Sequence, residues 1–530
     1  VGKASGMTDV VVVGAGVAGC IVATELATAG MKVTVLESGP SVDRGAAVDA
    51  FRSALVKTPE SAYPDVPYAP RPSSLDIGGY YVQDGPDTFS ATYERRIGGT
   101  TWHWLGTALR LLPADFEMKT AYGVGVDWPI SYSDLAPFYD RAERALGVSG
   151  GPSQALPPIA TSHLDSRVKT AVSHLGLDVT ATPQARNSQA FDGRPPCCGN
   201  ASCIPVCPIG AKYDGSVHAR KAQQAGAKLV EQAIAYFIEV ASGGKIAAIH
   251  HKRPDGSTER IPADVFVLAA HAIETPKLLL ISRSDTLRNG VANASDQVGR
   301  NLCDHPTQLS WALAKEPVYP YRGPLSTSGI ENLRDGTFRA SRSAFRIEIG
   351  NDGWSWPFGW PTDSAPILID SGLRGSVLAK TLDEQMQRQI RFASLTEQMP
   401  DPGNRIIPAW SQVDALGIPR PRIAYNVDRY SHDGMAEARR VHDQIFDAMG
   451  VTFRKHMDAF QSAGHIIGTY RMGADPKTSV ADGNGRSHDH SNLYLVGSGL
   501  FSSTGTANPT LTIGALAFKT ADAIKRARTS

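Results

Sequence analysis

The chain has 530 residues, 42% hydrophobic and 20% charged, with a formal net charge of +1. Such a chain can bury a large core in about two to four domain-sized units, and its charge balance argues against a nucleic-acid or polyanion partner. No apolar run approaches a membrane span, and the leading VGKASGMTD is too short and polar for a signal peptide, so the composition alone reads as soluble. The residues before Met7 read as an artificial addition, which would put the natural start at Met7.

Residues 9–40, DVVVVGAGVAGCIVATELATAGMKVTVLESGP, predict strand, tight turn, helix and second strand. Val10 to Val13 form an apolar run ending at Gly14, and Gly14, Gly16 and Gly19 make a G-x-G-x-x-G at the start of an apolar helical stretch. The first glycine permits the turn, the second lets backbone N–H groups approach a pyrophosphate, and the third lets helix and strand pack closely. Gly30 ends the helix, and Glu37 follows the second strand at the distance where an acidic side chain meets a ribose. The alternative is a glycine-rich turn in an ordinary βαβ unit. The glycines do not separate FAD from NAD; the start near the N-terminus and Glu37 lean towards FAD.

Residues 58–87 are proline-rich and aperiodic and read as an extended surface excursion. In RRIGGTTWHW (residues 95–104), Gly98 and Gly99 let backbone run close to a flat ligand, Thr100 and Thr101 offer hydroxyls, and His103 with Trp104 could face an isoalloxazine ring. A glycine loop packed under an aromatic core would look the same. A helix starts at Ser133, with Leu135, Phe138, Tyr139 and Ala142 on one face. Proline-rich linkers then bracket a helical segment around residues 166–176.

Four of the six cysteines crowd into residues 197–207 of CCGNASCIPVCPIGAKYDG. The clustering points to one local site rather than a disulfide-stapled domain. Thiolates are soft ligands, and Cys203, Cys207 and Pro208 match the closing C-x3-C-P of bacterial iron–sulfur runs. Zinc, usually held by two separated knuckles, and plain reduced or disulfide-bonded cysteines remain alternatives. Adjacent Cys197 and Cys198 cannot easily reach one cluster together, so one reads as a bystander.

Strand-like patterns cover residues 226–240 and 245–251, and VFVLAAHAIETPKLLLIS (residues 265–282) reads as a buried strand feeding a helix back in the nucleotide-binding layer. His305, before Pro306, reads as a turn residue, and Cys20 and Cys303 as small core residues. Residues 307–456 predict a half-exposed antiparallel sheet carrying a pocket, with one helix near residues 428–449. In GHIIGTYRMG, His465 sits among glycines; NLYLVGS reads as a buried strand, and TGTANPTLTI opens a long apolar helix. Asn508, before Pro509, falls at that helix's first turn and could face a ligand. Taken singly, Asn508 as a cap and His465 as a core histidine are the default readings.

Together GAGVAG with Glu37, GGTTWHW, VLAAHAIETPKLLL, GHIIGTYRMG and GTANPTLT resemble the glucose–methanol–choline (GMC) family of flavin oxidoreductases over nearly the whole chain. TTWHW, the cysteine segment and HDHSNL resemble a narrower branch, the catalytic subunits of bacterial FAD-dependent glucose, fructose and sorbitol dehydrogenases. The resemblance implies an α/β fold: a Rossmann-type FAD-binding domain (1–306, with the cysteine segment 182–215 inserted, and 457–530) interleaved with an antiparallel-sheet substrate domain (307–456). It places the catalytic pair on His465 and Asn508. The FAD contacts fall on Gly14, Gly16, Gly19, Glu37, Gly98, Gly99, Thr100, Thr101, His103, Trp104, Ile234, Ala270, Gly499, Leu500, Asn508 and Thr510. The metal ligands fall among Cys197, Cys198, Cys203 and Cys207, holding an iron–sulfur cluster of the 3Fe-4S type.

The resemblance further implies a sugar or polyol substrate, a small chaperone-like subunit and a multihaem cytochrome c subunit, at the periplasmic face of the inner membrane with membrane contact only through a partner. Gly464 stands where close relatives often carry Asn, which leaves the sugar open. His103 matches the position of a covalent flavin link in some pyranose oxidases, within a different local pattern; that link is an open hypothesis. The expected chemistry is hydride transfer to flavin N5, with neutral His465 taking the hydroxyl proton and Asn508 fixing the oxygen, and electrons leaving through the cluster. The rivals are a flavin sugar oxidase using oxygen with a structural zinc, and a non-catalytic flavin electron-carrier scaffold.

Overall fold

The computed structural model describes residues 8–354 and 364–529, so Met7 lies outside the described residues. Strand β1 (Val10–Val13), helix α1 (Val17–Thr28) and strand β2 (Val33–Leu36) form as the pattern predicts. Both strands are buried along their whole length, which explains why they read as continuous valine and leucine rather than alternating. β1 is central in a five-stranded parallel sheet of order Leu493–Leu495, Val265–Leu268, β1, β2, Lys228–Val230. The helices His271–Ile281 and Thr510–Thr529 return the chain to this layer.

A seven-stranded sheet follows the order Phe453–His456, Pro306–Leu313, Gln389–Thr396, Phe345–Gly350, Ser328–Ile330, Val179–Ala181, with Gln461–Ser462 pairing Pro306–Leu313. Its central strands are buried on both faces, not half-exposed as the alternation suggests. Helix Arg429–Met449 covers one face, packing Ala438, Val441, Ile445 and Phe446 against Ile347, Ile349, Ile390 and Phe392. The other face turns towards an internal cavity. Two more helices, Ser364–Asp370 and Gly375–Met386, accompany the one expected in this region.

Strand pairing crosses the expected domain boundaries. Val179–Ala181 joins the antiparallel sheet from the first segment, and Pro419–Ala424 pairs in parallel with Val82–Asp84. Residues 58–87 are consequently not a mere surface excursion. Tyr63, Tyr80 and Tyr81 are buried, and Arg420 donates to the Tyr80 carbonyl at 2.8 Å. Cys20 and Cys303 are small core residues.

Candidate active site

One cavity runs from the C-terminal ends of the parallel strands to the inner face of the antiparallel sheet. At its first end Gly14 has φ +104, and a Cβ at Gly19 would lie 2.0 Å from the Gly14 carbonyl oxygen, so helix and turn touch only because both positions lack side chains. Gly16 is different: a Cβ there would meet nothing within 4 Å, and it stands at the start of α1 with no side-chain cap. The free N–H groups of a twelve-residue helix therefore open onto the cavity, which suits a pyrophosphate. Glu37, also in the wall, accepts from Ala15 N at 2.8 Å and from Gly39 N at 3.0 Å.

The second glycine loop interleaves with the first. Gly98 N donates to the Ala15 carbonyl at 2.9 Å, and Thr101 Oγ1 accepts from Gly215 N at 2.8 Å. Gly98, Gly99, Thr100, Thr101, His103 and Trp104 line the cavity, as do Ile234, Ala270 and Thr510. Gly499 and Leu500 do not. They lie buried behind the wall, where a Cβ at Gly499 would strike the Tyr470 ring at 2.1 Å, and Gly497 and Ser498 face the cavity instead. His103 Nδ1 sits 3.6 Å from Glu94 Oε1, and neither atom has a hydrogen-bond partner.

The cysteine loop abuts this wall. Lys212 is buried, and its Nζ donates to the carbonyls of Trp102 (2.8 Å), Trp104 (2.5 Å) and Cys203 (2.7 Å), tying the two loops together. Burial pushes its amine down to about 8, against the pull of Cys203 and Cys207. Ile204, next to Cys203, reaches the cavity itself. Cys203 and Cys207 are buried, Cys197 is half-buried and Cys198 exposed, all as free thiols. Burial raises the Cys197 thiol, against the Gly199 N–H and Arg186, with Cys203 and Cys207 adding to the rise. Among the described residues, no group of three or more His, Cys, Asp or Glu side chains is gathered as a metal site: Cys203 Sγ instead turns to the Asn200 carbonyl at 3.6 Å, and Asn200 Nδ2 lies 3.2 Å from Cys198 Sγ.

At the opposite end His465 and Asn508 come together, with Asn508 Nδ2 3.3 Å from His465 Nε2 and Asn508 Oδ1 buried without a partner. Asn508 is placed by the start of helix Thr510–Thr529, where Ile513 N donates to the Pro509 carbonyl at 2.9 Å. His465 is placed by a pair of backbone hydrogen bonds between Cys303 and Ile467, both 3.0 Å. That bridge brings Asp304 and His305 beside it. Asp304 Oδ1 accepts from the backbone N–H of His465 at 2.9 Å and of His305 at 2.7 Å, while Ser462 Oγ donates to Oδ2.

His305 was expected as a turn residue, but it is completely buried and both its ring nitrogens are engaged. Nε2 lies 2.9 Å from the Gly505 carbonyl, and Nδ1 lies 2.9 Å from His465 Nδ1. A carbonyl can only accept, so His305 carries its proton on Nε2 and offers a lone pair at Nδ1. His465 then carries its proton on Nδ1, which leaves the Nε2 lone pair for the Asn508 amide and the cavity. Burial pushes His305 down to about 4. Burial, then the neighbouring His305 and Arg346, holds His465 well below the ordinary imidazole range, so the ring is neutral at pH 7. The only sequence signal for His305 is its position just before the strand Pro306–Leu313.

Comparison with known proteins fits this geometry. The chain matches the GMC oxidoreductase family over residues 8–307 and 409–517. It is 38% identical to the fructose dehydrogenase large subunit of Gluconobacter japonicus, across 97% of each chain. It is 29% identical to paromamine 6'-oxidase of Streptomyces fradiae, across 97% of this chain and 91% of that protein. Among solved structures, a variant of Aspergillus oryzae formate oxidase superposes over 100% of both chains with a TM-score of 0.68 at 15% identity, a likeness of fold.

Proposed function

The chain belongs to the GMC oxidoreductase family, and from that premise we propose that it is a FAD-dependent dehydrogenase oxidising a hydroxyl group of a sugar or polyol. The observation that carries the reading is the His465 Nε2 lone pair, held beside the Asn508 amide at a cavity whose other end is a pair of interleaved glycine loops.

The residues present fit FAD. Gly14, Gly16 and Gly19 would take the pyrophosphate against the uncapped start of α1, Glu37 would meet the ribose, and Gly98 to Trp104 with Ile234, Ala270 and Thr510 would enclose the rest. FAD, when bound, supplies the oxidant that takes the carbon-bound hydrogen with its electron pair. His465 Nε2 takes the hydroxyl proton, and a positioned base of this kind contributes about 10²- to 10⁴-fold. Asn508 holds the substrate oxygen through its amide, and His305 keeps the His465 ring in the tautomer that can accept.

The reading extends to the thiols. Cys197, Cys203 and Cys207 would hold an iron–sulfur cluster, Cys198 being the exposed bystander. Support comes from four soft donors within eleven residues, in a loop whose Ile204 lines the cavity and whose Cys203 carbonyl shares Lys212 with Trp102 and Trp104. A cytochrome c subunit as acceptor, a small chaperone-like subunit and a periplasmic site at the inner membrane complete the proposal; the likeness to a protein named as a large subunit supports a multi-subunit assembly. Residues 1–306 and 457–530 would form the cofactor domain and 307–456 the substrate layer.

A panel of sugars and polyols with an artificial electron acceptor, read alongside an iron and acid-labile sulfide count, tests this. The expected result is turnover with at least one member of the panel and iron and sulfide in the purified protein. A flavin that no member bleaches would end the proposal.

A further inference from the structure

The antiparallel sheet shows two chemically different faces. Along Phe345–Gly350, Phe345, Ile347 and Ile349 pack into the apolar layer under helix Arg429–Met449, and the intervening Arg346 and Glu348 fall on the opposite face. On the neighbouring strand Ile390 and Phe392 join the same apolar layer, which leaves Arg391 on the side of Glu348. Glu348 and Arg391 line the cavity and are 4% and 1% exposed.

These charges occupy built positions. Arg391 Nε lies 2.9 Å from Asp352 Oδ1 and its Nη2 3.7 Å from Glu348 Oε1, while Arg346 reaches Glu348 Oε2 at 3.4 Å and Glu331 Oε1 at 3.1 Å. Glycines make the room: a Cβ at Gly350 would stand 2.5 Å from Arg391 Nε, and one at Gly329 would stand 2.7 Å from Arg346 Nη2. With Arg334 Nε 3.7 Å from Glu331 Oε2, three guanidinium groups thus face the three carboxylates of Glu331, Glu348 and Asp352. The cluster is balanced in charge and carries no positive excess to hold an anion. Burying such a cluster is costly compared with apolar packing, and the other residues of this wall are uncharged: Leu309, Ala393 and Leu395 with Thr307, Gln461 and Ser462. A substrate rich in hydroxyl groups would repay it, because both guanidinium and carboxylate can hydrogen-bond to hydroxyls.

We infer that Glu348 is the substrate-selecting residue of the cavity: its carboxylate accepts hydrogen bonds from the hydroxyl groups of a neutral sugar or polyol and repels a sugar acid. The inference rests on the reading that this cavity oxidises a carbinol of a sugar or polyol, and it names the residue that would admit neutral members of that class and reject acidic ones. Arg346 Nη1 donates to Glu348 Oε2 at 3.4 Å and Arg391 Nη2 lies 3.7 Å from Oε1, one arginine to each oxygen, and a carboxylate with about four lone-pair sites keeps acceptor capacity for a hydroxyl beside them.

The test uses the FAD-loaded protein, the neutral substrate that reduces it best, and the aldonate of the same chain length. Wild type is expected to show a kcat/KM about 100-fold higher for the neutral compound. Glu348→Gln should raise the neutral substrate's KM about tenfold with kcat nearly unchanged, and should narrow the neutral-to-acid ratio about tenfold. Glu348→Asp keeps the charge but withdraws it, so the KM rises while the acid stays rejected; this variant decides the matter if Glu348→Gln does not hold FAD. A wild type that oxidises the aldonate equally well, or variants with wild-type KM and ratio, would overturn the inference while leaving the dehydrogenase reading intact. A wild-type flavin reduced by no neutral sugar or polyol would overturn that reading, and this inference with it.

Discussion

The Nδ1 atoms of His305 and His465 lie 2.9 Å apart, and one of them must be the donor. The Gly505 carbonyl decides which, by claiming the only proton of neutral His305 at Nε2. A buried ring that never meets the cavity thereby fixes which nitrogen of His465 can accept a proton.

Replacing His305 should therefore separate shape from hydrogen bonding. His305→Leu removes the acceptor and leaves the His465 ring free to change tautomer, and flavin reduction should fall by about 10- to 100-fold with FAD still bound. His305→Asn keeps an acceptor oxygen close to the Nδ1 position and should recover most of that loss. Equal rates for the two variants, measured by stopped flow without oxygen, would show that the imidazole pair does not set the tautomer.

The glycines make opposite predictions. Gly16 has open space where a side chain would point, so Gly16→Val should leave the fold and its melting temperature close to wild type but abolish FAD binding. Gly19 has the Gly14 carbonyl 2.0 Å from that position, so Gly19→Ala should destabilise the protein as well as empty it. Flavin content after gel filtration and a thermal melt distinguish the two.

For the cysteines, exposure divides Cys198 from the half-buried Cys197 and the buried Cys203 and Cys207. Cys203→Ser should remove iron and sulfide and abolish cytochrome reduction while sparing reduction of the flavin by substrate. Cys198→Ser should change none of these. Iron retained in Cys203→Ser would refute the cluster assignment.

Stability should fall as the pH drops from 6.5 towards 4. Burial depresses His271 and His305 to about 4 and His218 and His442 to about 3, so in this window the unfolded chain binds protons that the folded one refuses. Asp304 and Asp352, raised to about 6 by burial, act in the opposite direction because the folded state takes up their protons first. His465, His251 and His456 are depressed by burial as well, and Asp115 is raised like the other two aspartates, so the depressed histidines outnumber the raised carboxylates and the fold weakens in acid. His442→Gln removes one of these histidines; the ring bridges Ser394 and Ser310 at 2.8 and 2.7 Å. The slope of its denaturation midpoint against pH should be shallower than wild type, and an equal or steeper slope would contradict the assignment.

What the sequence revealed was mostly local. Gly14, Gly16 and Gly19 could be read because a turn, an approach and a packing contact each demand the absence of a side chain within one short stretch. His465 and Asn508, 43 positions apart, could be paired only through resemblance to a family. His305 escaped because its role is created by the bridge between Cys303 and Ile467, to which the residues around His305 give no clue. Glu348 and Arg391 escaped for another reason: alternation along Phe345–Gly350 looks the same whether the polar face meets water or a cavity. The domain boundaries were blurred because Val179–Ala181 pairs with a strand about 150 residues further on.

The central claim is that His465 is the base beside a bound flavin, and the anaerobic reduction of that flavin by substrate in His465→Ala tests it most directly. The account predicts that the variant binds FAD as wild type does and is reduced about 10²- to 10⁴-fold more slowly, with the acid limb of the wild-type pH profile lying below 6.5 because burial lowers the ring's affinity for a proton. Reduction of His465→Ala at close to the wild-type rate would contradict it.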